Sequence, residues 1–303
     1  MISLSTGAFY ERSARQIGGL RKEAEKLQQQ IGSGQRLARS SEDAVAAARL
    51  RTLARNERIS DVDQRNSDKA QSDLKLTDSA LGSIADIIIR AQELTQLASS
   101  DTMNQTQRAG IGGEIELLSQ SLLNLANARN SAGHSLFGGQ ASGNAYAESG
   151  GTITYIGTTA LDPVELGEGQ SVQPGVTGPE ALSFNVNGTP TDLFELLGNL
   201  ANALKGGVPD PAGAARNALS GLSAGLDQVT TSQTIVGARL GWIEVMDQRR
   251  ETLGEFVADE RKSIGGADPA LTMTRLQETM AVLEASQASF VRLANLSLFN
   301  MIR

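Results

Sequence analysis

Residues 17–31 read IGGLRKEAEKLQQQI, and residues 273–294 read MTRLQETMAVLEASQASFVRLA. In the first stretch Ile17, Leu20, Ala24, Leu27 and Ile31 recur at steps of three and four; in the second, Met273, Leu276, Met280, Leu283, Gln287, Phe290 and Ala294 do the same. That spacing gathers each set onto one narrow stripe of a helix, the seam along which helices wind around one another. Neither arm can bury its stripe alone. The two ends of the chain must therefore pair with each other, with neighbouring molecules, or with both, which points to an assembly protein before any catalytic idea is needed.

Inward from these arms the sequence stays helical on both sides. No proline occurs before Pro163; then Pro163, Pro174, Pro179, Pro190, Pro209 and Pro211 arrive together, and only Pro269 follows. Proline removes a donor and clashes inside a helix, so the chain reads as helix, non-helical insertion, helix. The first arm ends at Gly32-Ser33-Gly34, and Ser40 or Ser41 is the expected cap of the next helix, with Glu42 and Asp43 in its first turn. From Ala44 to about Ser99 one long helix directs Leu53, Ile59, Val62, Leu74, Leu81, Ile84, Ile88 and Ala91 toward partners. After a polar break at residues 100–107, Ile111, Ile115, Leu118, Leu122 and Leu125 resume the seam in a helix that can return antiparallel. The second half mirrors this with Leu219, Leu222, Leu226, Val229, Val236, Leu240 and Ile243, then Met246, Leu253, Val257 and Ile264. A break at Gly265-Gly266-Ala267-Asp268-Pro269 precedes the last arm.

Between the helices the period changes. Ile153-Thr154-Tyr155-Ile156, Val164-Glu165-Leu166 and Phe184-Asn185-Val186 are short strand candidates, each followed by glycine or Asn-Gly. Asp192 and Glu195 have the spacing of a capping box opening a short amphipathic helix, and residues 206–213 read as the return linker. Residues 136–211 hold eight acids against the single base Lys205, which accounts for the whole net charge of -7. An acidic middle on a neutral frame reads as a solvated outer surface and argues against nucleic acid as a partner. The expected fold is mainly α with an inserted small β-rich domain: a long antiparallel helical bundle with coiled-coil terminal arms. Its parts are arms at 1–39 plus 265–303, a bundle at 40–135 plus 212–264, and the acidic β-rich domain at 136–211.

Composition narrows function further. The chain has no cysteine, which removes thiol nucleophiles, disulfides and thiolate metal sites. Its one histidine, His134, stands beside Ser135, but adjacent loop residues do not present both side chains to one substrate atom. Gly138-Gly139 lacks the Gly-Lys-Ser/Thr continuation of a phosphate loop and reads as a sharp exit from the helices. Ile87, Ile88 and Ile89 are bracketed by Asp86 and Arg90, so they form no membrane span, and residues 1–12 lack a secretory-signal pattern. No catalytic residue, cofactor or metal ligand is therefore expected. A helical signalling module would explain the paired helices but not the arm and hinge at each end.

Four motifs carry a resemblance. Ile31-Gly32-Ser33-Gly34-Gln35-Arg36-Leu37 followed by Ser41-Glu42-Asp43-Ala44 is similar to the turn and helix start of the flagellin superfamily, departing at Glu42 and Ala44, where Asp and Pro are usual. Leu296-Ser297-Leu298-Phe299-Asn300-Met301-Ile302 resembles the superfamily's end motif. Leu136-Phe137-Gly138-Gly139 and Ile153-Thr154-Tyr155-Ile156-Gly157 are similar to its hook–filament junction branch, with flagellin itself as the alternative. The resemblance implies a structural protein, exported by the flagellar type III apparatus without a cleavable signal to the extracellular flagellum, and a homo-oligomeric ring at the hook tip. It implies as partners the other junction protein (hook-associated protein 1), flagellin, the filament cap during assembly and an export chaperone, with no nucleic acid and no membrane insertion. The arms would line the inner tube. The expected assembly interface is Ile17, Leu20, Leu27, Ile31, Met273, Leu276, Met280, Leu283, Phe290, Leu298 and Phe299.

Overall fold

The computed structural model describes residues 2–301, with side chains over 7–294. In chain order the helices are α1 Ile2–Ser33, α2 Ala44–Ala98, α3 Gln105–Ala126, α4 Gly178–Leu182, α5 Leu193–Asn202, α6 Pro211–Gly265 and α7 Pro269–Met301. Six strands lie between α3 and α5: β1 Tyr146–Ser149, β2 Thr152–Tyr155, β3 Val164–Gly167, β4 Gln170–Val172, β5 Ser183–Val186 and β6 Thr189–Asp192. The mainly α architecture with a small β insertion is the one the apolar spacing and the proline distribution predict. The chain folds as two compact units, one of Met1–Ile59 with Glu251–Arg303, the other Ser60–Arg250.

The unit Ser60–Arg250 has one continuous core. Leu74, Leu81, Ile84 and Ile88 of α2, Ile115 and Leu122 of α3, and Leu222, Val229, Val236 and Ile243 of α6 are all fully buried in it. The insertion contributes to the same core through Phe137, Leu166, Leu182, Phe184, Leu193 and Leu197. The acidic segment is thus packed onto the helices by its apolar residues while its carboxylates stay outside. Arg250 ties it further, donating to Leu166 O at 2.7 Å, Ser67 Oγ at 3.1 Å and Gln64 Oε1 at 2.9 Å. Of the seam residues expected on α2 and α6, Ile59, Val62 and Leu253 are exposed.

The strands form three separate two-stranded antiparallel hairpins rather than a sheet. β5 and β6 are joined by Asn187-Gly188, both at positive φ, the left-handed pair that a tight hairpin turn requires. β1, β4 and β6 were not expected. β6 carries Pro190, which pairs with Asn185 on a two-stranded ladder where one face of the strand needs no donor. β1 and β4 acquire their conformation by backbone pairing to β2 and β3 and show little alternation of their own.

Caps explain the boundaries. Asn104 and Gln107 form a reciprocal capping box on α3, and Asp192 Oδ1 accepts from Glu195 N at 2.9 Å to start α5. Pro211 was expected in the return linker, but it is the first residue of α6, capped by Asp210, whose Oδ1 accepts from Gly213 N at 2.8 Å. Pro269 opens α7 in the same way behind Asp268. The first helical position has no intrahelical partner for its N–H, so proline fits there without cost. Ser40 and Ser41 do not cap α2. A turn closed by Glu42 N to Arg39 O places Asp43 at the helix start, and its Oδ1 accepts from Ala46 N at 2.9 Å.

Candidate assembly site

In the unit that holds the chain ends, α1 and α7 lie against each other along the stripes read from the sequence. Leu27 and Leu276 are buried, 4% and 8% exposed, in a small cluster with Ala24, and Ile31 packs on its edge. Toward the other end of the pair, Tyr10 meets Phe290 edge to face with ring centroids 5.5 Å apart. Ile17, Leu20, Leu283 and Phe290 are half-buried, whereas Met273 and Met280 face solvent together with Phe9, Val282, Val291 and Leu293. Leu298 and Phe299 lie outside the described side chains. The pair therefore closes part of its seam within one chain and leaves much apolar surface open.

The two hinges are joined to each other. Gln35 and Gly266 form an antiparallel bridge, flanked by Arg36 N to Gly265 O at 2.7 Å and Ala267 N to Gly34 O at 2.9 Å. The Arg36 guanidinium donates from Nε and Nη2 to Ile264 O, a carbonyl at the end of α6 without a helical partner, and reaches Asp43 at 3.2 Å. The Ala46 amide and the Arg36 cation hold the Asp43 carboxyl below its ordinary range. Beyond the hinge, Arg49 grips Glu260 with two bonds of 2.6 and 2.8 Å, and Arg261 grips Glu57 at 3.1 and 2.9 Å. These pairs are solvated, so each adds little stability; the two-nitrogen fork of Arg49 on Glu260, with Arg261 Nη1 shared between both Glu57 oxygens, sets the register of α2 on α6. Composition cannot reveal such pairings, because Arg36, Arg49 and Arg261 find partners more than 200 residues away or across a turn.

In the other unit, the two motifs used to choose a branch of the superfamily touch each other. Phe137 is fully buried, and its carbonyl oxygen lies 3.1 Å from the Tyr155 hydroxyl, which donates to Thr158 O at 2.6 Å. Thr158 N in turn donates to Gly138 O at 3.0 Å, and Gln140 N to Thr158 Oγ1 at 2.7 Å. Gly139 sits at φ 64 with Thr158 O where a Cβ would stand, so the helix exit tolerates no side chain there. Leu136-Phe137-Gly138-Gly139 and the Tyr155-Ile156-Gly157 strand end thus form one corner.

Residues 5–142 match the bacterial flagellin N-terminal helical region. The chain is also similar end to end to flagellar hook-associated protein 3 of Escherichia coli (strain K12), 26% identical over 314 residues, covering 98% of both chains. The chain is thus similar to the flagellin superfamily in its N-terminal helical part and to hook-associated protein 3 along its length. Hook-associated protein 3 of Salmonella typhimurium (strain LT2) is 24% identical over 318 residues, covering 99% of each. The flagellar junction protein FlgL of Legionella pneumophila shares the fold with a TM-score of 0.60 at 14% identity, over 72% of this chain and 99% of that one.

His134 is exposed, and its backbone is held in a turn by Asn130, whose Oδ1 accepts from His134 N at 3.0 Å. Ser135 Oγ is buried and accepts or donates no bond among the described residues, so the neighbouring pair makes no relay. No group of three or more His, Cys, Asp or Glu among the described residues is arranged to hold a metal ion. No described helix is long and apolar enough to cross a membrane.

Proposed function

We propose that this chain is a structural subunit that joins the bacterial flagellar hook to the filament. The similarity to hook-associated protein 3 over 98% of both chains carries the reading. The paired arms with open apolar stripes support it, because a subunit that closed its seam internally would have nothing left to polymerise with. On this reading the arms line the inner tube with neighbouring copies, in a ring with hook-associated protein 1 below and flagellin above. The cap would be a transient neighbour, and an export chaperone would cover the arms before secretion. The test is deletion in the source bacterium: hooks should still assemble while flagellin accumulates in the medium. A deletion strain with normal filaments would contradict the proposal.

A further inference from the structure

Outside the arms, the unit of Met1–Ile59 with Glu251–Arg303 contains the ends of α2 and α6 that meet through Leu53, Arg49–Glu260 and Glu57–Arg261. Their outward faces carry opposite charge. On α2, Arg55 and Arg58 are three residues apart on the side turned away from Arg49, Leu53 and Glu57, and Arg51 precedes them by one turn. On α6, Glu255 and Asp259 are four apart on the side turned away from Val257, Glu260 and Arg261, with Lys262 at the end of that row. Arg55, Arg58, Glu255 and Asp259 are exposed, and none has an ion-pair partner among the described residues. Exposed apolar side chains stand beside both rows: Ile59 on α2 and Phe256 on α6, the latter 66% exposed.

We propose that the cationic edge of α2 docks on the anionic edge of α6 of a second copy of this chain. Charge complementarity identifies the occupant, since each copy carries both halves. Like edges repel and unlike edges attract, so a head-to-tail arrangement pairs each α2 edge with the α6 edge of the next copy, and it closes into a ring or climbs as a helix. Phe256 and Ile59 supply the apolar area that the charges orient. The inference rests on the ring reading given above and names the residues that set its lateral contact.

Charge reversal in the full-length chain tests it. Arg55→Glu with Arg58→Glu, and separately Glu255→Lys with Asp259→Lys, should each weaken self-association of the purified protein by about tenfold or more in sedimentation at low salt. Each should also abolish incorporation into flagella, with melting temperature unchanged because these side chains have no partner in the monomer. A chain carrying all four substitutions restores opposite edges and should assemble again. Reversal without loss of assembly, loss on only one edge, or failure of the four-fold variant to recover would each overturn the proposal. Wild-type protein labelled in the same strain separates this from the junction reading, which stands or falls on where that label lies.

Discussion

Replacing Leu27 with Ala probes how firmly the arms are held within one chain. Leu27 is 4% exposed, and its removal takes about three buried carbons out of apolar contact, worth about 2.4 kcal/mol at ~0.8 kcal/mol per methylene. The cluster around it consists of Ala24, Leu276 and Ile31 and is open to water at its edge. The site can therefore collapse or hydrate, so the cavity contribution is small and the total falls at the low end of buried Leu→Ala costs, about 2–3 kcal/mol. Because the core of Ser60–Arg250 shares no residue with that cluster, the loss should appear as local opening of α1 and α7. Amide hydrogen exchange reads this directly: protection around residues 20–31 and 271–283 should fall by roughly 30- to 150-fold, at about 1.4 kcal/mol per tenfold. Amides of Ile84, Leu122 and Val229 should be unaffected. Equal loss of protection in both places would show that the arms belong to the main cooperative unit, and no loss at all would show that Leu27 is not their anchor.

Tyr155→Phe removes the donor to Thr158 O and leaves the corner at Phe137 short of a hydroxyl; a thermal melt should register a destabilisation of about 1–2 kcal/mol. Gly225→Ala places a Cβ 2.6 Å from Leu193 Cδ2 and should cost about 1–3 kcal/mol, while Gly237→Ala, with open space around it, should stabilise by up to about 1 kcal/mol in the same assay. Asp43 titrates lower in the folded chain than its ordinary value of 3.8, so its contribution is complete above that pH and is lost as pH falls through the depressed folded value. Acid should loosen the start of α2 in wild type, and Asp43→Asn should remove that part of the pH dependence of exchange at Ala46. Replacing residues 136–211 with a short glycine linker removes Phe137, Leu166, Leu182 and Leu193 from the shared core, so calorimetry should show a much weaker or absent cooperative transition for Ser60–Arg250. A sharp wild-type melt from that variant would instead make the acidic segment an independent domain.

The helices were legible because their information is local. Steps of three and four between Leu81, Ile84 and Ile88 are the same in the sequence and in the buried face, and prolines fall where helices cannot continue. What remained hidden depends on partners distant in sequence. Tyr155 gave a strand, but nothing in the sequence says that its hydroxyl lies beside the carbonyl of Phe137. Pro211 read as part of a linker and Pro190 only as a bar to long helices, yet one is a helix's first residue and the other sits in a hairpin. The hinge was read from its glycines as a gap between elements, and the Arg36 contacts to Ile264 and Asp43 make it a joint between α1, α2 and α6. The exposed positions Met273, Met280 and Leu253 carry the opposite lesson: helical periodicity marks an apolar stripe, while one chain alone leaves part of it uncovered.

Labelling an epitope on this chain in assembled flagella, with counting of the label by electron microscopy, tests the junction role most directly. A single narrow band where hook meets filament, one per flagellum, is the result expected of a junction subunit. Label distributed along the filament would make the chain a filament subunit, and label confined to the cell interior would remove it from the flagellum altogether.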